Sequence, residues 1–169
     1  MNALLDPPGR PAPPLQVASW LGAGAPDSLA TLRGRVVAIH AFQLLCPGCV
    51  HHGVPQAKRM REMFPERDLV VLGLHTVFEH HEAMGPAVLR AFLHENRIAF
   101  PVGIDQPSDD AGNPIPMTMR TYGMRGTPTL LLIDRRGDLR RHAFGAEEDM
   151  AVGAAIGALL SEPARAASS

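Results

Sequence analysis

The feature that most constrains this chain is a pair of cysteines, Cys46 and Cys49, which are the only two in its 169 residues. They follow an apolar, β-branched run at 36–42 that is typical of a buried strand. After them, residues 50–64 carry apolar side chains at intervals of three and four, which predicts a helix with one core-facing side. A Cys-x-x-Cys at a strand-to-helix turn is the pattern of a dithiol redox site, so the motif predicts redox chemistry.

The two thiols are predicted to have different roles. A redox cysteine reacts as the thiolate, and the unpaired N–H groups and dipole at the start of a helix stabilise that charge. Cys46 is expected at the helix N-cap because Pro47, which follows it, suits the first helical position. We therefore assign Cys46 as the attacking, exposed thiol and Cys49 as the resolving, buried thiol. The alternative is a pair of ordinary core cysteines.

Metal binding is the alternative chemistry for a motif with this spacing. Cys46, Cys49 and His52 have ligand-like spacing, but no second cysteine pair supplies the remaining ligand of a structural zinc site. Val50 stands where a haem attachment motif requires histidine. A polar cluster at 79–82 is interpreted as solvated loop. We therefore predict no metal and no cofactor.

The charge balance argues against nucleic acid or an anionic membrane as a partner, because the formal net charge is only −1. No apolar run approaches the roughly 18 residues of a membrane span. The first residues lack the basic and apolar segments of a secretory signal, so we expect a cytoplasmic protein with no membrane partner. In that reducing compartment, two cysteines at this spacing are expected to be catalytic rather than structural.

Periodicity and turn residues predict one domain at 15–160, between an extended N-terminal arm at 1–14 and a C-terminal tail at 161–169. Pro55 lies inside the first helix and is expected to kink or interrupt it. Crossover helices imply parallel strands early in the chain, and a hairpin turn at 135–138 adds antiparallel strands late. The predicted strands are 17–21, 36–42, 69–75, 100–105, 129–134 and 139–144, and the predicted helices are 50–64, 87–96, 117–122 and 147–160. The fold class is therefore α/β, with a central mixed β-sheet flanked by helices.

Four segments together give the chain a resemblance to a known family. They are 29–37, the Cys46-Pro47-Gly48-Cys49 motif, 100–105, and 122–137, which contains Gly126-Thr127-Pro128-Thr129 directly before an apolar strand. Over about residues 14–160, the chain resembles thioredoxin-fold proteins of the TlpA-like branch, the alkyl hydroperoxide reductase and thiol-specific antioxidant (redoxin) group. The combination of Cys-x-x-Cys with a downstream Gly-Thr-Pro-Thr is specific, whereas either half alone is weak.

The resemblance implies a thioredoxin-like fold and a set of site residues. It implies that Pro128 is cis and lies beside the cysteines, and that Pro47, Gly48, Thr127 and Pro128 contact the substrate. Two positions depart from the family pattern: Leu45 replaces an aromatic residue before Cys46, and His40 stands where thioredoxins commonly carry a buried acid. A histidine titrates near neutral pH and is suited to moving the proton of Cys49. A packed core histidine is an equally weighted alternative for His40.

Three functions are consistent with these residues. The first is a thiol:disulfide oxidoreductase that reduces protein or small-molecule disulfides and receives electrons from a reductase. The second is a peroxiredoxin-type peroxidase, but Gln43 and Ile39 stand where such enzymes place a threonine and a proline. The third is a non-catalytic thioredoxin-fold interaction module.

Overall fold

The centre of the molecule is a six-stranded mixed β-sheet with the strand order β1-β4-β3-β2-β5-β6. We describe it from a computed structural model that covers residues 4–163, so the ends of the predicted arm and tail, 1–3 and 164–169, lie outside the described residues. The strands are β1 (Val17–Leu21), β2 (Val36–Phe42), β3 (Leu69–His75), β4 (Val102–Asp105), β5 (Thr129–Ile133) and β6 (Leu139–Phe144). All six lie where the sequence predicts them, which confirms the mixed α/β architecture.

The strand pairing places the redox motif at the centre of the sheet. β2 pairs with β3 and β3 with β4 in parallel, whereas β5 pairs antiparallel to β2 and β6 antiparallel to β5. Every residue of β2 and β3 is buried, because both faces of these strands are covered. β1 pairs antiparallel to β4 at the outer edge. The cysteines therefore follow the carboxyl end of a central strand.

Four α-helices accompany the sheet: α1 (Val54–Met63), α2 (Pro86–Glu95), α3 (Met117–Thr121) and α4 (Asp149–Ser161). One face of the sheet packs against α1, α2 and α4 and forms the larger apolar cluster. The other face packs against α3, a short 3₁₀ turn at Leu29–Leu32 and the chain that leads into β1. No helix described between residues 4 and 163 has the length and apolarity needed to cross a membrane.

The helix that carries the cysteines is interrupted by a wide turn. Pro47 and Gly48 are already helical, the next five residues, Cys49–Gly53, form a π turn, and α1 follows directly. Pro55 lies at the start of α1, where its missing N–H and its ring would disturb a regular α-helical ladder. A π turn next to a proline relieves that conflict. The prediction that Pro55 interrupts the helix is confirmed, and the interruption takes this form.

The described part of the N-terminal arm lies along the β5–β6 hairpin. The Asp6 amide donates to the Arg140 carbonyl at 2.7 Å, and the Leu139 amide donates to the Arg10 carbonyl at 2.8 Å. A further bridge joins Pro11 to Asp138. These bonds cover the outer side of β6, which would otherwise be an open sheet edge.

Candidate active site

Cys46 occupies the N-cap of the helix that begins at Pro47, as the sequence predicts. Its carbonyl accepts the Val50 amide at 3.1 Å, and its sulfur accepts the Cys49 amide at 3.2 Å. The second contact is the bond that an N-cap side chain makes with the third helical residue. An amide donor on the sulfur and the positive end of the helix both stabilise negative charge there. The half-buried Cys46 thiol also reaches the Thr127 carbonyl oxygen at 3.4 Å.

Cys49 lies one turn deeper and is completely buried. Burial, and to a smaller extent a hydrogen bond with Cys46, raises the pKa of its thiol to about 12. Both cysteines are free thiols in this structure. The hydrogen bond between the two thiols shows that the sulfurs are close together. They differ as the sequence predicts, because Cys46 is accessible and Cys49 is buried in its neutral form.

A loop that ends in Pro128 forms the other wall of the site. The Thr127–Pro128 peptide bond is cis, the isomer that the resemblance implies. The proline ring lies against the helix start, since a Cβ added to Gly48 would be 3.2 Å from Pro128 Cδ. The Pro128 carbonyl accepts the Gly145 amide at 2.8 Å, which fixes this loop to the end of β6. Pro47 is exposed, and Gly48 and Thr127 are half-buried around the Cys46 sulfur.

His40 lies beneath the same helix start, on the face of β2 that carries Phe42. Its side chain is buried, and neither ring nitrogen has a hydrogen-bond partner among the described residues. Burial lowers the pKa of His40 to about 4, so the imidazole is neutral near pH 7. Its Nε2 points at the π turn, where a Cβ on Gly53 would overlap the ring. A glycine at position 53 is therefore required for this packing.

Several residues around the site were not singled out from the sequence. Gly53 could have been noticed as a glycine inside a predicted helix, four residues after Cys49. Gln43 is buried, and its Oε1 accepts the Phe78 amide at 3.1 Å. Asp105, noted only as part of the resemblance, accepts amides from the start of α3 and the Thr76 hydroxyl. These polar groups fix the loops that follow β2, β3 and β4.

His52, the third residue of the metal alternative, is exposed on the π turn. Within residues 4–163, no three His, Cys, Asp or Glu side chains lie close enough together to hold a metal ion.

Comparison with solved structures places this geometry in a family. A thioredoxin-like superfamily protein, SPOA0173, is 57% identical, with a TM-score of 0.87 over 92% of this chain and 99% of that one. A thiol-disulfide isomerase from Corynebacterium glutamicum is 46% identical, with a TM-score of 0.83 over 88% of this chain and 95% of that one. The chain belongs to the thioredoxin-like family of thiol-disulfide oxidoreductases.

Solved structures of lower sequence identity show a likeness in fold to this thioredoxin-like protein. The exposed lipoprotein thioredoxin Etrx1 from Streptococcus pneumoniae is 20% identical, with a TM-score of 0.60 over 86% of this chain and 98% of that one. No protein-family model and no curated protein matches the thioredoxin-like chain.

Proposed function

We propose that this thioredoxin-like protein reduces disulfides with the dithiol of Cys46 and Cys49. The observation that supports this most strongly is the asymmetry of the two thiols. The Cys46 sulfur is accessible and accepts the Cys49 amide at 3.2 Å, whereas the Cys49 thiol is buried with its pKa raised to about 12. A nucleophile must be reachable and charged, and a resolving thiol must stay inactive until a mixed disulfide has formed.

The proposed reaction has two exchanges. The Cys46 thiolate attacks one sulfur of the substrate disulfide, forms a mixed disulfide with it and expels the other sulfur as a thiolate, which takes up a proton. Cys49 then loses its proton and attacks the Cys46 sulfur. The second substrate thiolate leaves, and a Cys46–Cys49 disulfide remains. The substrate gains two electrons, and a reductase must return two electrons and two protons to the dithiol.

Pro47, Gly48, Thr127 and Pro128 are proposed to contact the substrate. This proposal is supported by their positions. Pro47 and Gly48 directly follow Cys46, the Thr127 carbonyl lies 3.4 Å from its sulfur, and the buried Pro128 ring lies against Gly48. The substrate is proposed to be a protein or small molecule with an exposed disulfide. The reducing direction, the TlpA-like branch and a cytoplasmic location belong to the same proposal, since a dithiol kept reduced needs a reductase and a reducing compartment.

We propose His40 as the group that accepts the Cys49 proton. Its imidazole is buried under the turn that carries Cys49, and both nitrogens lack partners among the described residues. Because its pKa is lowered to about 4, an unprotonated nitrogen is present throughout the neutral range. Removal of this base should slow only the second exchange, in which Cys49 must ionise.

Trapping and kinetics test these roles together. Cys49→Ser should accumulate a mixed disulfide with a model disulfide peptide, released by dithiothreitol, while Cys46→Ser should form none. In the otherwise intact protein, His40→Asn should slow product release and alter its pH profile while leaving the attack by Cys46 unchanged. Trapping through Cys49 instead of Cys46 would contradict the assignment of the thiols, and an unchanged release rate across neutral pH would remove His40 from the mechanism.

A further inference from the structure

Arg125 and Phe144 form a charged aromatic platform next to the cis-proline loop. The Arg125 guanidinium carbon lies 5.5 Å from the centre of the Phe144 ring, within the range of a cation–π contact. Arg125 is exposed and Phe144 is 48% exposed, so both present surface to solvent. Within residues 4–163, Arg125 forms no ion pair and no side-chain hydrogen bond.

The platform is fixed in place by the backbone beneath it. The Phe144 ring packs against Gly126, where an added Cβ would be 2.9 Å from Phe144 Cε2. Phe144 pairs in register with Thr129, and the next residue, Gly145, donates its amide to Pro128. Any side chain at position 126 would displace the ring. The arginine is therefore held over a rigid ring, which reduces the entropy lost when it binds a ligand.

The platform is close to the reactive sulfur. Gly126 directly precedes Thr127, whose carbonyl oxygen lies 3.4 Å from Cys46 Sγ. Arg125 is thus two residues from the point where a bound disulfide meets the loop. An extended chain advances about 3.3 Å per residue, so Arg125 reaches a group about two or three residues from the substrate cysteine.

The acidic residues that follow Phe144 do not neutralise this arginine. Glu147 pairs with Arg141, and Asp149 pairs with Arg59 at 2.7 Å. Glu148 lines a separate cleft together with His52 and Arg59. The positive charge of Arg125 therefore remains available to a ligand, and an arginine that presents planar N–H donors is suited to a carboxylate.

We propose that the Arg125–Phe144 platform selects polypeptide disulfides that carry an Asp or Glu two or three residues from the cysteine attacked by Cys46. This inference rests on the proposed function and adds a substrate class to it. Phe144 supplies apolar contact area for the extended chain, and Arg125 supplies the charge. Arginine and aromatic residues are the types that contribute most to binding at protein interfaces.

The test uses two symmetric peptide disulfides that differ only in having Asp or Asn at the second and third positions on either side of the cysteine. The intact protein should reduce the Asp peptide with a kcat/KM about threefold higher, the size expected for one exposed charge pair. Arg125→Gln should bring the ratio to about one, and Phe144→Leu should reduce it. Arg90→Gln removes the same charge from an exposed position on α2 and should keep the full ratio.

Equal rates for the two peptides in the intact protein, or a preference that survives Arg125→Gln, would overturn the inference. The same ratio is measured without chemistry as the dissociation constants of the two peptides for Cys46→Ser, by fluorescence anisotropy. A preference in binding without reduction of either peptide would count against the proposed function and leave the platform supported. Reduction of both peptides without a preference would support the proposed function and overturn the role of the platform.

Discussion

The two ends of the β5–β6 hairpin differ in how their charged side chains are paired. At the closed end, Arg140 is buried and pairs with Asp134 at 3.2 Å and Glu162 at 2.6 Å. Asp134 also accepts the amides of residues 136 and 138. Beside the open end, His40 of the adjoining strand β2 pairs with Leu130 of β5, and neither of its ring nitrogens has a partner among the described residues. Arg125, just before β5, contacts the Phe144 ring and forms no ion pair within residues 4–163.

This difference separates stability from reactivity along the hairpin and the strand beside it. A fully paired buried ion network resists opening, because breaking it leaves an uncompensated charge in the core. Groups with unused hydrogen-bonding capacity cost stability but can respond to a substrate. Substitutions at the closed end should therefore change unfolding, whereas substitutions at the open end should change the disulfide chemistry as well.

The largest effect on stability is expected for Arg140→Met. It removes a buried cation and leaves Asp134 buried without its partner, which should lower the free energy of unfolding by about 3 kcal/mol. Urea unfolding measures this loss, and disulfide reduction per folded molecule should not change. As a control, Arg120→Gln breaks the exposed pair with Asp109 and should cost less than about 1 kcal/mol. A defect in reduction with normal stability would contradict the division between the two ends.

The second effect is a loss of stability in acid through His40. Its pKa is about 4 in the folded protein and 6.5 when exposed, so the unfolded chain binds the proton more readily between these values. Its stabilising contribution is therefore complete above pH 6.5 and decreases as the pH falls toward 4, by about 3 kcal/mol in total.

The pH dependence is checked by urea unfolding of the intact protein and His40→Asn from pH 7 to pH 4. Asparagine does not titrate, so the variant should lose clearly less stability over this range. His75 is also buried with its pKa lowered to about 4 and remains in both proteins, so part of the acid sensitivity should persist. Identical pH profiles would show that His40 does not carry the expected linkage.

The smallest effect on stability, about 1–3 kcal/mol, is expected for Gly53→Ala, because the new Cβ would overlap the His40 ring. The matched control is Gly157→Ala in α4, where a Cβ meets nothing within 4 Å. That change should stabilise the protein by up to about 1 kcal/mol. Thermal unfolding compares the two, and removal of the ring in a Gly53→Ala, His40→Ala double variant should recover part of the loss. An unchanged thermal stability of Gly53→Ala would show that the turn or the His40 ring can move to accommodate the new Cβ.

Features encoded locally could be predicted from the sequence. The strands follow from apolar runs and the Cys46 N-cap follows from the Pro47 beside it, since each depends on a few neighbouring residues. The cis-proline needed the family resemblance, because no local pattern separates it from an ordinary Thr-Pro pair.

The remaining features depend on contacts between distant parts of the chain. The pairing of the arm with β6 joins residues more than a hundred positions apart, and hydrophobic periodicity does not report such pairing. The need for glycine at position 53 depends on the His40 ring, which comes from β2. The stacking of Arg125 on Phe144 brings together residues 19 positions apart, and each alone resembles ordinary surface.

The π turn has a consequence for how the two halves of the cysteine-bearing helix can vary. An α-helix rotates by about 100° per residue. The extra residue in the π turn therefore lets the apolar stripe of α1 face the core without changing the direction in which Cys49 points. Deletion of one residue there would rotate the apolar stripe of α1 by about 100° relative to Cys49, so the thiol and the stripe could no longer both be oriented correctly. The turn thus sets the rotation between the segment that carries the cysteines and the segment that packs against the core.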